Sequence, residues 1–493
     1  MQLTAQEIDI GSRSPTVLLN TADAAELGVH QLDRVQIEHD GRISIGIVEF
    51  TDELVDPGTL AVTRRLGHLS GPVEVIPAPQ PRAVHYIKKK LDDIELDKPE
   101  LHRIVLDIKE DRLSDVELGA YVAATYTNGL SLEETMHLAE CMAEVGDAIE
   151  WEDTAVVADK HSIGGVAGNR VTPIIVPIVA AAGVKIPKTS SRAVTSPAGT
   201  ADTMEVLCDV EFSLAEIKEI VTETNGCLVW GGSVNLSPVD DKIIRAETPL
   251  SIDPPGQIIA SVLSKKKSAG SNHIVVDVPY GEGAKVESLA QARELAEDFK
   301  RVGDHLGMAI ECTITRGSQP IGRGIGPVLE ARDVLETLAG GGPEELRLKS
   351  VRLADILLGS CGCAEDATEI LDSGRAMAAF RDILAAQGGD SDVTVDDLVP
   401  GRHELPVAAD REGIVTHVDN RLVSDVARRA GAPKDKGAGM VLHCRVGDKI
   451  GVGDSLFTVH AESKEKLADA ERLVERSETI RVRSRDEALV ELV

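Results

Sequence analysis

From about residue 154 to residue 315 the chain alternates apolar, β-branched runs with segments of helical periodicity. "TAVVADK", "PIIVPIVAAAG", "FSLAEIKEIVTETN", "CLVWGG", "HIVVDVP", "LAQARELAEDFKRVGDHLG" and "MAIECTIT" follow one another in that order. Strands that are apolar throughout are buried on both faces, which calls for a largely parallel sheet covered by helices. No other feature constrains the fold as much, because parallel strands need crossover connections and gather their ligand-binding loops at the carboxyl ends. At 493 residues the chain also exceeds one ordinary core, so further units must flank this one.

Residues 1–83 read as short alternating runs, "SPTVLLN", "DRVQIEHDG", "RISIGIVEF" and "TLAVTRRL", between Gly, Asp and Pro turn signals. They predict a β-rich N-terminal domain, closed by the stiff linker "PAPQPRA". Residues 84–150 switch to helical periodicity. Ser114 with Glu117 and Ser131 with Glu134 form capping boxes, and Gly129 and Gly146 supply stops. The segment "SPVDDKIIRAETPLSIDPPGQIIASVLSKKKSAG" is helical around a Pro-Pro break, so 237–269 is expected to rejoin this helical lobe. That leaves 151–236 and 270–405 for the α/β lobe, and 406–493 for an α+β C-terminal domain of strands and glycine turns. The expected class is a multidomain α/β protein whose helical and α/β lobes form a catalytic cleft.

Composition narrows the function. The hydrophobic fraction is 42% with 2% aromatics, so the core is aliphatic. No run approaches the ~18 apolar residues of a membrane span, and the start "MQLTAQEIDIGSR" has no signal-peptide pattern, which predicts a cytoplasmic protein. A formal charge of −30 repels nucleic acid and anionic lipid, so neither is an expected partner. An anionic substrate must then be caught by a local basic patch. Acidic excess with arginine more frequent than lysine also suits a high-salt, halophilic cytoplasm. Of seven cysteines only Cys361 and Cys363 lie close, as C-x-C, which is not a zinc spacing. Buried free thiols and no metal are expected.

"DKHSIGGVAGNR", residues 159–170, sets Lys160, His161 and Ser162 before a glycine-rich turn. It is neither a Walker A loop nor the G-x-G-x-x-G dinucleotide fingerprint. What remains is a strand ending at Val156, Val157 and Ala158, a turn, and an apolar helix from Pro173. Freed backbone N–H groups there favour an anion, and Lys160 and Ser162 add a charge and a hydroxyl. A second stretch, "KTSSRAVTSPAGTADTMEVL", is rich in hydroxyls and again precedes a helix. Two such loops at the carboxyl ends of strands in one sheet predict a shared phosphate or nucleotide site. "MAIECTITRGSQPIGRGIGPVLEARDVLETL" evokes dinucleotide binding only superficially, and reads instead as an active-site or interdomain loop. The run Lys265–Lys267 is by itself an ordinary solvated face, although Ser261 and Lys265 share a helical face at i, i+4.

"KHSIGGVAG", "SSRAVTSPAGTADTMEVL" and "IIASVLSKKKSAGS", in that order, resemble the thymidine phosphorylase family of nucleoside phosphorylases, most closely its archaeal AMP phosphorylase branch. The likeness to the family runs from about 84 to the C-terminus, and a β-rich first domain is a mark of that branch. The resemblance implies that Lys160, Ser162, Ser190 and Thr200 bind the attacking phosphate, together with Thr172. It implies nucleotide contacts from Gly165, from Ser191, Arg192, Ala193, Val194, Thr195 and Ser196, and from Thr200, Ser261 and Lys285. Asp253 is implied as proton donor, and His161, Arg245 and Lys265 match positions that hold the pyrimidine in thymidine phosphorylases. Two departures stand out. Ala167 is one residue more than the short family pattern, and Asn169 replaces an aspartate.

The implied reaction is phosphorolysis of nucleoside monophosphates: AMP, and also CMP and UMP, would react with phosphate, which is a co-substrate; no cofactor is implied. The base leaves well only if a ring nitrogen is protonated, a general-acid contribution of ~10² to 10⁴-fold. An apolar setting in "PLSIDPPGQII" is expected to keep Asp253 protonated, although the bare residue reads as a turn before Pro-Pro. Other readings are a pyrimidine nucleoside phosphorylase, a non-catalytic nucleotide sensor, and a phosphoribosyltransferase, the last weakened because "VDDK" and "VDDL" are ordinary surface acids. Family likeness implies a homodimer or larger assembly.

Overall fold

The computed structural model describes residues 1–484 except Arg13, Asp153, Val194, Thr195, Asn235 and Ser251. The chain divides into two compact units, Met1–Gly146 with Ser237–Ser261, and Asp147–Leu236 with Val262–Val493.

The first unit opens with six strands: β1 (Gln2–Ile8), β2 (Thr16–Leu19), β3 (Arg34–His39), β4 (Arg42–Phe50), β5 (Thr59–Thr63) and β6 (Gly71–Pro77). They close into a barrel in the order β1-β5-β2-β4-β3-β6. The β1–β5 and β2–β4 pairs are parallel and the other pairs antiparallel. Alternation sends Leu3, Val17, Leu19, Val35, Ile37, Leu60, Val62, Val73 and Val75 inward to a sealed aliphatic core. One short helix, α1 (Thr21–Leu27), is capped by the Asn20 side chain.

The helical part comprises α2 (Arg82–Leu91), α3 (Lys98–Lys109), α4 (Asp115–Asn128) and α5 (Leu132–Glu144). Both expected capping boxes are present, on Ser114 and Ser131. Lys90 is buried on α2 and places its Nζ 2.9 and 2.7 Å from the two carboxylate oxygens of Glu134. Those oxygens also accept the Leu96 amide at 2.9 Å and the Ser131 amide at 2.8 Å. Arg34 of the barrel donates to the Arg112 carbonyl at 3.0 Å and to Glu117, which pins β3 to the helices.

In the second unit β7 (Ala158–Ser162), β8 (Ile186–Ser190), β9 (Gly226–Trp230), β10 (His273–Tyr280) and β11 (Ala309–Arg316) are parallel to their neighbours. They pair as β11-β10-β7 and β8-β9, and a parallel bridge between Val157 and Lys185 links the two sets. Among the helices around them are α6 (Thr172–Ala181), α7 (Thr200–Met204) and α8 (Leu214–Thr224). On α6, Ile174, Ile175, Ile178 and Val179 are fully buried, as continuous apolar runs require. Two helices return to the earlier pattern, α9 (Pro238–Glu247) in the first unit and α10 (Pro255–Ser268), which runs from the first unit into the second. The remainder are α11 (Leu289–His305), α12 (Pro327–Leu338), α13 (Glu344–Ser360), α14 (Ala367–Asp372) and α15 (Arg375–Ala386).

The C-terminal module adds β12 (Gly324–Ile325), β13 (His403–Ala408), β14 (Gly413–Val418), β15 (Gly439–Leu442), β16 (Lys449–Ile450), β17 (Ser455–Ala461) and β18 (Ile480–Arg483), with α16 (Asn420–Arg429) and α17 (Lys464–Val474). These strands form two small sheets, β12-β15-β17-β13 and β16-β14-β18.

Two sequence expectations need correction. β7 does not stop at Ala158 but continues to Ser162, because its partner β10 extends alongside it and pairs Lys160 with Val275 and Ser162 with Asp277. Lys160 and Ser162 therefore sit on a strand, not in a turn. Cys312, Cys361 and Cys363 are only partly buried, whereas Cys141, Cys208, Cys227 and Cys444 are buried; all seven are free. Among the described residues, no helix is long and apolar enough to cross a membrane and no cluster of side chains is placed to hold a metal ion.

Candidate phosphate site at the strand ends

The strand register gathers the polar residues. Ser162 pairs with Asp277, and continuing the Val157–Lys185 bridge along both strands brings Ser190 level with Ser162. Lys160, only 1% exposed, turns its Nζ to Ser162 Oγ at 2.5 Å and to Thr172 Oγ1 at 3.3 Å. The Ser162 hydroxyl donates to Asp277 Oδ2 at 2.7 Å, and Thr315 donates to Oδ1 at 2.6 Å. Lys349 of α13 lies 2.8 Å from the same carboxylate. Ser190 Oγ is buried with no hydrogen-bond partner among the described residues, a costly state that a bound oxyanion would relieve.

A second carboxylate lies one residue before Lys160. Asp159 is fully buried, 2.8 Å from Lys266 Nζ and 3.6 Å from Lys188 Nζ. Four lysines thus cluster about two carboxylates. Burial drives the Lys160 pKa down to about 7; Asp277 opposes this, while Lys349, Arg170 and Lys266 reinforce it. Burial also holds Lys188 well below the ordinary lysine range, with Lys266 adding to the effect. His161 is pushed far down by burial and by Lys266, Lys188, Lys265 and Lys160, so it is neutral. Asp277 stays below the usual carboxylate value: burial opposes ionisation, and Lys349 and Lys160 outweigh it. Burial is the chief cause for Lys160 and Lys188, so an anion bound beside them would favour their charged forms.

The glycine-rich turn then wraps back over the strand ends. Gly165, at φ 84°, packs so closely that a Cβ there would lie 2.5 Å from the Lys285 amide nitrogen. Gly168, at φ 67°, would bring one within 2.3 Å of the Ile321 carbonyl oxygen. Arg170 pairs with the buried Glu330 and donates to the Ala198 carbonyl, tying this turn to the hydroxyl-rich loop. Asp202 closes that loop by accepting the Ala193 amide at 2.6 Å and the Gly199 amide at 2.8 Å.

Other residues named from sequence occupy different surroundings. The Arg192 guanidinium is held by Glu205 at 2.6 Å and Glu211 at 3.0 Å, and lies 4.7 Å over the Trp230 ring. Ser191 is exposed, Ser196 donates to the Ala198 carbonyl at 2.9 Å, and Thr200 begins α7. Lys285 is exposed beside the turn. Val194 and Thr195 lie outside the described residues. Arg245, Asp253 and Ser261 belong to the first unit. Arg245 is exposed on α9. Asp253 is exposed just before α10, at odds with the apolar setting expected from its Ile and Pro neighbours. Of the lysine run, Lys267 is exposed and Lys265 partly buried, but Lys266 is 3% exposed and faces Asp159. Sequence reasoning therefore missed Asp159, Lys188, Lys266, Asp277 and Lys349. The signal available for Asp277 was a lone acid inside the apolar strand "HIVVDVP".

Comparison with known proteins fixes the family. The chain is 63% identical to the AMP phosphorylase of Natronomonas pharaonis over the whole of both chains. The chain belongs to the AMP phosphorylase family. It is 46% identical to AMP phosphorylase 1 of Archaeoglobus fulgidus over 92% of each chain, and 45% to that of Thermococcus kodakarensis over 98% of each. Models of the glycosyl transferase family match the helical bundle domain at 84–146 and the a/b domain at 154–377. The pyrimidine nucleoside phosphorylase C-terminal domain matches at 414–481. Anthranilate phosphoribosyltransferase from Thermus thermophilus shares the fold at a TM-score of 0.52 and 18% identity, covering 62% of this chain and 99% of its own. AMP phosphorylase membership makes this chain a glycosyltransferase-class enzyme.

Proposed function

We propose that the chain catalyses phosphorolysis of AMP to adenine and ribose 1,5-bisphosphate, with inorganic phosphate as the nucleophile and no cofactor. The observation that carries this reading is the excess of buried lysines over carboxylates at the ends of β7 and β8, in a chain 63% identical to an AMP phosphorylase. Lys160, Ser162, Thr172, Ser190 and Thr200 hold the phosphate, and rigid strands fix its direction of attack on C1′. Proximity of this kind removes much of the barrier before any bond changes. As the C1′–N bond lengthens, positive charge builds on the sugar and negative charge on the base. Phosphate meets the first, and a proton from Asp253 meets the second. His161, neutral among the lysines, accepts or donates hydrogen bonds without adding to the cationic charge. Gly165, Lys285 and the run Ser191–Ser196 contact the nucleotide, with Ser261, Lys265 and Arg245 toward the base. CMP and UMP serve as further substrates, and the enzyme works as a homo-oligomer in the cytoplasm.

Product identification from AMP and phosphate at high salt tests the reading. Adenine and ribose 1,5-bisphosphate are expected, and chelator-treated protein retains the activity. Base release from thymidine with none from AMP would overturn it in favour of a nucleoside phosphorylase. Asp253→Asn is expected to abolish turnover while AMP binding persists; an unchanged rate removes Asp253 from the mechanism.

A further inference from the structure

We propose that Asn420, a residue of the C-terminal module, is a positioning residue that fixes the phosphate-binding turn and the Lys285 loop together. Asn420 is the first residue of α16 and is 2% exposed. Its Nδ2 donates to the Gly317 carbonyl at 2.8 Å, and its Oδ1 accepts the Ala167 amide at 3.4 Å. Its Cβ lies against Gly283, where an added Cβ would sit 3.1 Å away. One buried amide therefore touches three segments: the turn 163–170, the loop 281–287 and the loop after β11. The first two are also packed on each other, through Gly165 and the Lys285 amide.

Ala167 anchors the turn side of this join. It is 3% exposed and packs in the hydrophobic core of the C-terminal module, with Ile325, Val423, Val426 and Met440. Its carbonyl accepts the Ile321 amide at 3.0 Å. Ala167 thus carries the turn into the core of the C-terminal module, and Asn420 fastens it there. An amide is suited to the task because it donates at one end and accepts at the other, satisfying a carbonyl and an N–H that would otherwise be buried unpaired. Asn420 touches no reacting atom; it acts by holding the backbone that surrounds Lys160 and Ser162.

This proposal rests on the reading of residues 160–170 as the phosphate site, and the test separates the two. Asn420→Leu, Asn420→Asp and Lys160→Ala are compared with the unaltered full chain. Phosphate is varied at saturating AMP, alongside thermal unfolding and hydrogen exchange of residues 163–170. Asn420→Leu, similar in size but without either hydrogen bond, is expected to raise KM for phosphate about tenfold and change kcat by less than about threefold, the scale of losing both bonds. Asn420→Asp keeps the acceptor for Ala167 and loses the donor to Gly317, so about a threefold rise is expected. Exchange of the turn quickens in both variants while β10 stays protected. A residue with a structural role alone would lower the melting temperature and the active fraction and leave KM for phosphate unchanged, which overturns the proposal. If Asn420→Leu does not fold, Asn420→Asp decides: unchanged phosphate KM with unchanged exchange at 163–170 refutes the positioning role. If Lys160→Ala leaves phosphate KM unchanged, the phosphate reading itself fails. If Lys160→Ala raises it and the Asn420 variants do not, only the positioning role fails.

Discussion

In the helical lobe Lys90 meets Glu134 one to one, and both oxygens of that carboxylate also accept backbone amides. At the strand ends Lys160, Lys188, Lys266 and Lys349 share Asp159 and Asp277. Both groups are buried, and burial of an ion is expensive unless its charge is matched. The Lys90 pair is matched within the fold, so its role is structural. The strand-end group holds more lysines than carboxylates, and a bound anion would supply the missing counter-charge. Charge balance, more than burial or the presence of lysine, separates a structural ion pair from a ligand site.

The sharpest way to break this contrast is Lys160→Ala. It is expected to lower kcat/KM for AMP phosphorolysis about 10³-fold, comparable to loss of a preorganised charge stabiliser, while the ligand-free melting temperature holds or rises. A collapse in stability would place Lys160 in the same class as Lys90. The reverse expectation applies to Lys90→Met, which strands the Glu134 carboxylate: unfolding by denaturant should show a loss of about 3–5 kcal/mol, with kcat/KM of the folded enzyme unchanged. Titration sharpens the contrast further. Lys160, with its pKa pushed down to about 7, is cationic below that pH and neutral above it. Sulfate, which stays dianionic across the neutral range, should therefore inhibit best below pH 7, and its Ki should rise up to about tenfold per unit above it. A flat Ki would mean that the cluster keeps its charge without a ligand. The smallest effect is expected at Arg192→Ala, where the partly exposed pairs with Glu205 and Glu211 contribute less than about 1 kcal/mol to stability. KM for AMP is expected to rise several-fold there, since Arg192 belongs to the proposed nucleotide contacts, and an unchanged KM removes it from that site.

Local pattern carried much of the architecture. Apolar runs without polar alternation announced the parallel strands, and S-x-x-E motifs announced the starts of α4 and α5. The turn 163–170 was legible as a turn because Gly164, Gly165 and Gly168 stand between an apolar strand and an apolar helix. What stayed hidden was set by pairing between distant segments. Lys160 and Ser162 read as turn residues because nothing nearby reveals that β10 runs on beside them. Lys266 looked like the middle of a solvated run, and only the approach of Asp159 from β7 makes it a buried ion. The apolar letters around Asp253 misled in the opposite direction, since flanking Ile and Pro residues say little about where one carboxylate ends up.

The closed barrel at the N-terminus has a consequence for how such a protein could be assembled in evolution. Six strands that satisfy one another around a full circle leave no free edge to recruit a stray strand. Such a module can be joined to a chain through a proline linker without exposing a strand edge, its contacts to the helices being side-chain ties such as Arg34 to Glu117. The matches to the shared family models begin at residue 84, just past that linker, which is where a genetic graft of this kind would be expected to leave its scar.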